Sequence, residues 1–476
     1  MTNNNQLKIC YIGGGSRNWA WVLMQDLTFE KELSGVIELY DIEFEAAKTN
    51  ELIGNTLMEK YNKGRWCFHA NASLQEALEG SDFVFVSILP GDFNDMAVDV
   101  HTPERYDIYQ SVGDTAGVGG LIRAIRAILQ FREIARAVKR YAPDAWVVNY
   151  TNPMAICVRT LYREFPHVKA FGCCHEVFNT QKLLATALEK AGLAPEGTIK
   201  REDIKTRVLG INHFTWIDKA SWKSIDIFPY YKQFVDAYAE SGFRGAGSAT
   251  TFAAGGTSRE DPDEAVRLKY FSSTERVKMD LFHRYGLIAA AGDRHLAEFC
   301  PYSWYLANPA HVESWGFALT PVSWRISNQK KLKKLASTYS EGAAAMTPVE
   351  SGEEGIAIVK SLVGLGNLVT NVNMPNCGQM PDLPREAVVE TNASFSRDDV
   401  QPLVSEGLPT DVRVLVAPHV LAQEGIIEAV FEHDREKAFR VFSHDSAVQK
   451  LPLSDARSLF DEMCAKTRVD GIWGRA

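Results

Sequence analysis

Two residues with metal-binding chemistry stand out in this sequence: Cys174, in the run Phe171-Gly172-Cys173-Cys174-His175-Glu176-Val177, and His213, in Gly210-Ile211-Asn212-His213. A thiolate and an imidazole are good ligands for a divalent transition metal. Cys174 follows an apolar run at 168–172 that reads as a strand, and His213 falls in the middle of another, 206–214, extended to Trp216. Side chains alternate faces in an extended chain, so at most one of Cys173 and Cys174 points at a given site. His175 has the chemistry of a ligand, a proton donor or a substrate contact. Further along, Asp293-Arg294-His295 puts a carboxylate, a guanidinium and an imidazole in consecutive positions. Asp293 there is a candidate base, and Arg294 has the fork that suits a substrate carboxylate. The alternative is a capped turn with an ion pair.

The elements that must position these groups begin at the N-terminus. Residues 8–12 are apolar and lead into Gly13-Gly14-Gly15-Ser16, after which Trp19, Val22 and Leu23 have helical spacing. Strand, glycine turn and helix in this order can hold a pyrophosphate, because glycines let the backbone come close and the helix N-terminus offers N–H groups. The turn is not the full G-x-G-x-x-G, since Asn18 stands where a third glycine would fall, and an ordinary tight turn is an equal reading. A second strand at 36–40 ends at Asp41. A carboxylate there accepts hydrogen bonds from the adenosine ribose and repels a 2′-phosphate, which favours NAD over NADP. Alternatively Asp41 caps a helix starting near Glu43.

Further strands are expected at 68–70, 83–88 and 145–150, with helical stretches between them. This alternation predicts an α/β fold, a Rossmann-like doubly wound parallel sheet. Ligands bind such sheets at the C-terminal strand ends. Asn152-Pro153 follows one of those ends, so Asn152 either meets a substrate hydroxyl or caps the next helix. Asp114 lies in a glycine-rich loop, 113–120, that opens a long helix carrying Arg123 and Arg126; both arginines are expected to be solvated or ion-paired. Residues 243–263 read as a loop, 264–284 as largely helical with Tyr285 just beyond, 330–354 as a charged helical stretch, 387–391 as a strand and 418–464 as amphipathic helices. The expected division is an NAD-binding domain, 1–200, and an α+β domain, 201–476, for catalysis, metal binding and oligomerisation.

Bulk properties narrow the partners. The 476 residues carry a net charge of -9, which argues against nucleic acid. Long like-charge blocks are lacking, so no membrane partner is expected. The polar start Met1-Thr2-Asn3-Asn4-Asn5-Gln6 lacks the pattern of a signal peptide. Eight scattered cysteines without disulfide-like spacing suit free thiols in a reducing cytoplasm.

Taken together, the Ile12-Gly13-Gly14-Gly15-Ser16 turn, Asn152-Pro153, Cys174-His175-Glu176-Val177, Gly210-Ile211-Asn212-His213 and Gln401-Pro402-Leu403 resemble glycoside hydrolase family 4 over most of the chain. Its NAD-dependent members depart from the usual two-carboxylate glycosidase scheme. The resemblance implies NAD and a divalent metal, Mn²⁺ as a rule. It implies oxidation at sugar carbon 3, loss of the acidified carbon-2 proton, elimination of the aglycone, addition of water and return of the hydride. It implies Cys174 and His213 as metal ligands and Asn152 as a sugar contact. His175 is then the candidate acid, Asp293 the candidate base with Tyr285 the weaker one, and Asp114 a substrate contact. The tetrad Cys174-His175-Glu176-Val177 is similar to that of the α-galacturonidase members, which act on non-phosphorylated uronides from pectin; Arg294 would meet the uronate. An α-glucuronidase, α-glucosidase or α-galactosidase of the same family is the neighbouring alternative. The resemblance also suggests a homodimer or homotetramer. Two other classes share a dinucleotide fold. A net dehydrogenase would accumulate NADH without needing a metal, and a non-enzymatic NAD sensor would need no metal ligands.

Overall fold

The computed structural model describes residues 6–244, 270–271 and 273–474. Six strands, β1 (Gln6–Ile12), β2 (Ser34–Tyr40), β3 (Trp66–Asn71), β4 (Phe83–Val86), β5 (Trp146–Asn149) and β6 (Lys169–Gly172), run parallel in the order β6-β5-β4-β1-β2-β3. Their apolar content follows from helices covering both faces of the sheet. In β4, Phe83 and Phe85 enter one core while Val84 and Val86 enter the opposite one; in β1, Ile9 and Tyr11 part from Cys10 and Ile12 in the same way. This is the two-residue period of a strand buried on both sides.

The chain then leaves this sheet for a smaller one. There, β7 (Ile204–Ile211) and β8 (Phe214–Trp222) form an antiparallel hairpin, with β9 (Ile225–Asp226) and β10 (Ile288–Ala289) paired to β8. Later strands return to the first sheet. β11 (Leu368–Pro375), β12 (Val388–Ser396) and β13 (Asp399–Pro402) add antiparallel beyond β6, giving nine strands. The parallel sheet is therefore as expected, and its antiparallel extension comes from the far side of residue 200. Asn392 on β12 accepts a hydrogen bond from the Val208 amide on β7 (2.8 Å), which ties the two sheets together.

Three expectations change. The run through 206–216 is not one strand with His213 in its middle. Ile211 pairs directly with Phe214, so Asn212 and His213 form the reversal, and His213 has φ 63°. Asn and His tolerate the left-handed region better than most residues, which lets a hairpin form without glycine at that position. The charged helix spans Val322–Ser340 and stops well short of 354, with Gly342 at φ 73° closing it. Arg123, on the helix Gly117–Tyr141, is buried rather than solvated, while Arg126 on the same helix is ion-paired as expected, though buried too. Arg126 makes two bonds to the carboxylate of buried Asp99, and Arg123 Nε bonds the carbonyl of Asn152 (3.1 Å). The expected loop at 243–263 lies, beyond Arg244, outside the described residues, as do 264–269 of the expected helix; within the rest of that range Arg276–Tyr285 is helical.

The C-terminal helices Thr410–Glu432, Arg435–Ser443 and Leu453–Lys466 pack on the smaller sheet and on Gly117–Tyr141. The first is long and apolar enough to cross a membrane, but Val412, Val416, Val420, Ile426, Ile427 and Val430 are spent in the core.

Candidate active site

The C-terminal ends of the parallel strands share one edge of the sheet. The segments that follow are the glycine turn after β1, Asp41 after β2, Ser87 after β4, Asn152 after β5 and Cys173-Cys174 after β6.

In the glycine turn, the amides of Gly13 and Gly14 both donate to the Tyr40 carbonyl (2.9 Å each). Gly13 has φ 95°, and a Cβ there would sit 2.0 Å from the Ser87 carbonyl oxygen, so the close approach requires glycine. Gly15 donates its amide to Asp41 Oδ2 and Glu43 donates to Oδ1 (2.8 Å each). Burial raises the Asp41 carboxyl, against the pull of these two amides. A carboxylate has about four acceptor sites, so this arrangement leaves room for ribose hydroxyls. The helix Trp19–Phe29 starts at Asn18 with no side-chain cap and no acidic residue in its first turn. A helix N-terminus that carries no acidic side chain suits an anion. These observations fit a dinucleotide.

A second group lies at the hairpin turn. Ligand atoms of Asp114, His213 and His295 fall within 4.8 Å of one another. The two imidazole rings meet at a tilt of 35° with centroids 3.8 Å apart. Thr115 donates its single hydroxyl hydrogen to Asp114 Oδ1 (2.7 Å), so its oxygen accepts from His213 Nδ1 (3.1 Å). That choice leaves His213 Nε2 with its lone pair. Burial pushes His213 down to about 3 and His295 down to about 4, so both are neutral at pH 7. Burial would raise Asp114, but Arg123 and the two imidazoles hold it at about 2. His295 Nδ1 is buried without a hydrogen-bond partner. Two neutral imidazoles, one with an orphaned nitrogen, and an ionised carboxylate form a donor set that fits a divalent cation.

Cys174 is buried but not part of that group. It packs with Met154, Ala155, Val158 and Val388. Burial raises its thiol well above the ordinary value, as do Glu390 and Glu176, while the Asn212 side chain hydrogen-bonds it. Glu390 in turn accepts from Asn371 (2.7 Å) and Asn212 (3.3 Å), and Asn371 also bonds the Cys174 carbonyl. Burial pushes Glu390 up to about 7. This buried network connects the end of β6 to the residue preceding His213.

His175 precedes the helix Glu176–Lys190, between Glu176 Oε1 (3.8 Å) and Glu353 Oε1 (3.6 Å), with Trp19 against its ring. Asn152 does not cap the helix Met154–Glu164; its Oδ1 is buried with no partner among the described residues. Asp293 is fully buried, and its Oδ1 accepts the Lys278 amide (3.0 Å) in the first turn of Arg276–Tyr285. Arg294 donates to the Ser111 carbonyl, the Thr320 hydroxyl and the Ala318 carbonyl. Tyr285 packs edge-on against Trp216 (5.8 Å), with Cys300 and Asp411 nearby.

The structure thus gathers Asp114 with His213 and holds Arg294 beside them, while Asp293 and Tyr285 face other partners. Sequence reasoning gave His295 no role, although it had noted the residue beside Asp293. It assigned nothing to Glu390, and it read the buried Arg123 as solvated or ion-paired. A charged residue on the apolar stripe of a helix, as at Arg123, is the signal that was available.

Two family models match the chain: family 4 glycosyl hydrolase over residues 8–190, and the family 4 glycosyl hydrolase C-terminal domain over residues 208–448. The chain is 54% identical to the alpha-galacturonidase of Thermoanaerobacter italicus, over 97% of this chain and 96% of that protein. A crystal structure from Bacillus subtilis, described as a glucosidase, lplD, superposes with a TM-score of 0.87 at 48% identity, covering 96% of this chain and 99% of that one. A 6-phospho-alpha-glucosidase from gut microorganisms, solved with NAD and Mn²⁺, has a TM-score of 0.78 at 19% identity, over 98% and 99% of the two chains, and shares the fold.

Proposed function

The chain belongs to family 4 of the glycosyl hydrolases, and from that premise we propose that it hydrolyses non-phosphorylated α-galacturonides with NAD and a divalent cation. The observation that carries this reading is the Asp114, His213 and His295 cluster. It stands beside an uncapped, glycine-led helix N-terminus in a chain 54% identical to an alpha-galacturonidase.

When bound, the dinucleotide supplies a hydride acceptor and the cation supplies Lewis acidity at the sugar oxygens. Gly13, Gly14, Gly15 and Ser16, with the helix behind them, would hold the pyrophosphate, and Asp41 the ribose. His213, His295 and Asp114 would hold the cation, with Cys174 retained as a further ligand. Buried Asn152 Oδ1 accepts a hydrogen bond from a sugar hydroxyl. His175, flanked by two carboxylates, moves the proton that the departing aglycone oxygen takes up. Asp293 and Tyr285 stay secondary candidates for the base, since the Asp293 carboxylate already caps Arg276–Tyr285. Overall one water is consumed: its hydroxyl joins the anomeric carbon, its proton leaves with the aglycone, and the hydride returns, so no net redox change occurs.

The reading includes a homodimer or homotetramer, supported by the exposed pair Val414 and Leu421 on one face of Thr410–Glu432. It also includes a reducing cytoplasm, supported by eight cysteines that are all unpaired, and a division near residue 200, supported by the change of sheet at β7. The test is release of nitrophenol from p-nitrophenyl α-galacturonide, α-glucuronide and α-glucoside, with and without NAD and Mn²⁺. Cleavage of the galacturonide only with both additions, and no accumulating NADH, is expected. Preference for another glycoside would remove the galacturonide assignment, and steady NADH build-up would remove the hydrolase.

A further inference from the structure

Arg123, Arg294 and Arg325 interact electrostatically with Asp114, and Arg126 follows Arg123 on its helix; most of these guanidinium groups donate to protein oxygens. Arg126 is held by Asp99, Arg123 by the Asn152 carbonyl, and Arg294 by Ser111, Ala318 and Thr320. Arg325 differs. It lies in the first turns of the helix Val322–Ser340, and its buried Nε has no hydrogen-bond partner among the described residues. It forms no ion pair there either; Asp114 acts on it electrostatically without a hydrogen bond between them.

The Arg325 side chain is nevertheless held in place. Its guanidinium lies 5.7 Å from the centroid of Phe271, whose ring also carries Arg294 at 4.8 Å and Trp324 at 4.8 Å. Both arginines act electrostatically on His295, so this corner opens beside the Asp114, His213 and His295 cluster. A buried guanidinium N–H without an acceptor is unfavourable unless an anion meets it. Its planar fork matches a carboxylate best.

We propose that Arg325 is the residue that binds the substrate carboxylate, with the Phe271 ring against its guanidinium. This assignment rests on the uronide reading above. A galacturonide differs from a galactoside in carrying a carboxylate where the galactoside has a hydroxymethyl group, so Arg325 is the specificity determinant for acid over neutral sugar. Arg294 keeps its donors on backbone and hydroxyl oxygens.

The experiment compares wild type, R325Q and R325K with NAD and Mn²⁺ present. It reads KM and kcat on p-nitrophenyl α-galacturonide, and thermal melting with galacturonate or galactose added. The expected result is a KM about 10- to 100-fold higher in R325Q with kcat little changed, the loss of a charged hydrogen bond made equally to substrate and transition state. Galacturonate should stabilise wild type but not R325Q, and galactose should have the same small effect on both. R325K keeps the charge without the fork and should fall between them. Wild-type KM and wild-type stabilisation by galacturonate in a folded R325Q would overturn the assignment. If R325Q does not fold, the same readings on R325K decide: a raised KM supports the assignment and an unchanged one overturns it. A wild-type enzyme that galacturonate stabilises no more than galactose would instead overturn the uronide reading on which the assignment stands.

Discussion

Replacing Gly15 with alanine tests the dinucleotide cradle directly. The backbone of Gly15 does not require glycine for its φ angle; the obstacle is space. A Cβ there would lie 2.7 Å from the Ala46 Cβ and 2.9 Å from the Asp41 carboxylate. Ala46 is on the rigid helix Phe44–Asn62, so Asp41 must yield. Overpacking of this kind costs about 1–3 kcal/mol. The displaced carboxylate also loses its 2.8 Å bond from the Gly15 amide, a charge-assisted interaction of about 1.5–3 kcal/mol in a well-buried setting and less at this partly exposed position. The ribose contacts depend on the same carboxylate, so NAD affinity in G15A should drop about 10- to 100-fold. NADP, which Asp41 repels, should lose much less. Fluorescence titration with NADH and NADPH measures both, and a melting curve without cofactor measures the packing cost. NADH bound by folded G15A as tightly as by wild type would refute the reasoning, because the turn and Asp41 would then not be the cradle.

Three further predictions address other parts of the molecule. His295→Gln should lower Mn²⁺ affinity by at least about tenfold, read as metal retained after gel filtration; wild-type retention would remove His295 from the ligand set. Asp99→Ala should leave the Arg126 guanidinium buried and unpaired, at about 3–5 kcal/mol by urea unfolding, and a loss under 1 kcal/mol would contradict the buried pairing. Burial pushes Glu298 from the ordinary 4.5 up to about 7, while its Oε1 accepts the amides of Val112 (2.7 Å) and Gly113 (2.9 Å). A carboxyl raised in the folded state binds more protons there than when unfolded, so its contribution falls as pH rises from 4.5 to about 7 and is level above. Glu298→Gln should therefore gain on wild type by up to roughly 3 kcal/mol across that window, and a pH-independent difference would refute it.

The sequence alone carried the first half of the fold. Alternating apolar runs, the Gly13–Gly15 turn and Asp41 at the end of β2 specify a parallel sheet with its ligand edge, because strand period and turn chemistry are local properties. It also brought out His213, within an apolar run, and Asp114 and Asn152, each on a loop next to one. Tertiary structure decided what those residues face. His213 meets His295 only because the Asn212-His213 reversal and the helix Asp293–Phe299 close on each other, and Asp114 joins them through Thr115. The return of β11, β12 and β13 to the first sheet places Glu390 behind Cys174 and Asn212. Arg294 and Arg325 look alike in sequence, yet one donates to three protein oxygens and the other leaves its Nε open. Local periodicity reports which face of an element is buried, but not which distant element covers it; which partners remain for a buried charge is settled only when the chain has closed around it.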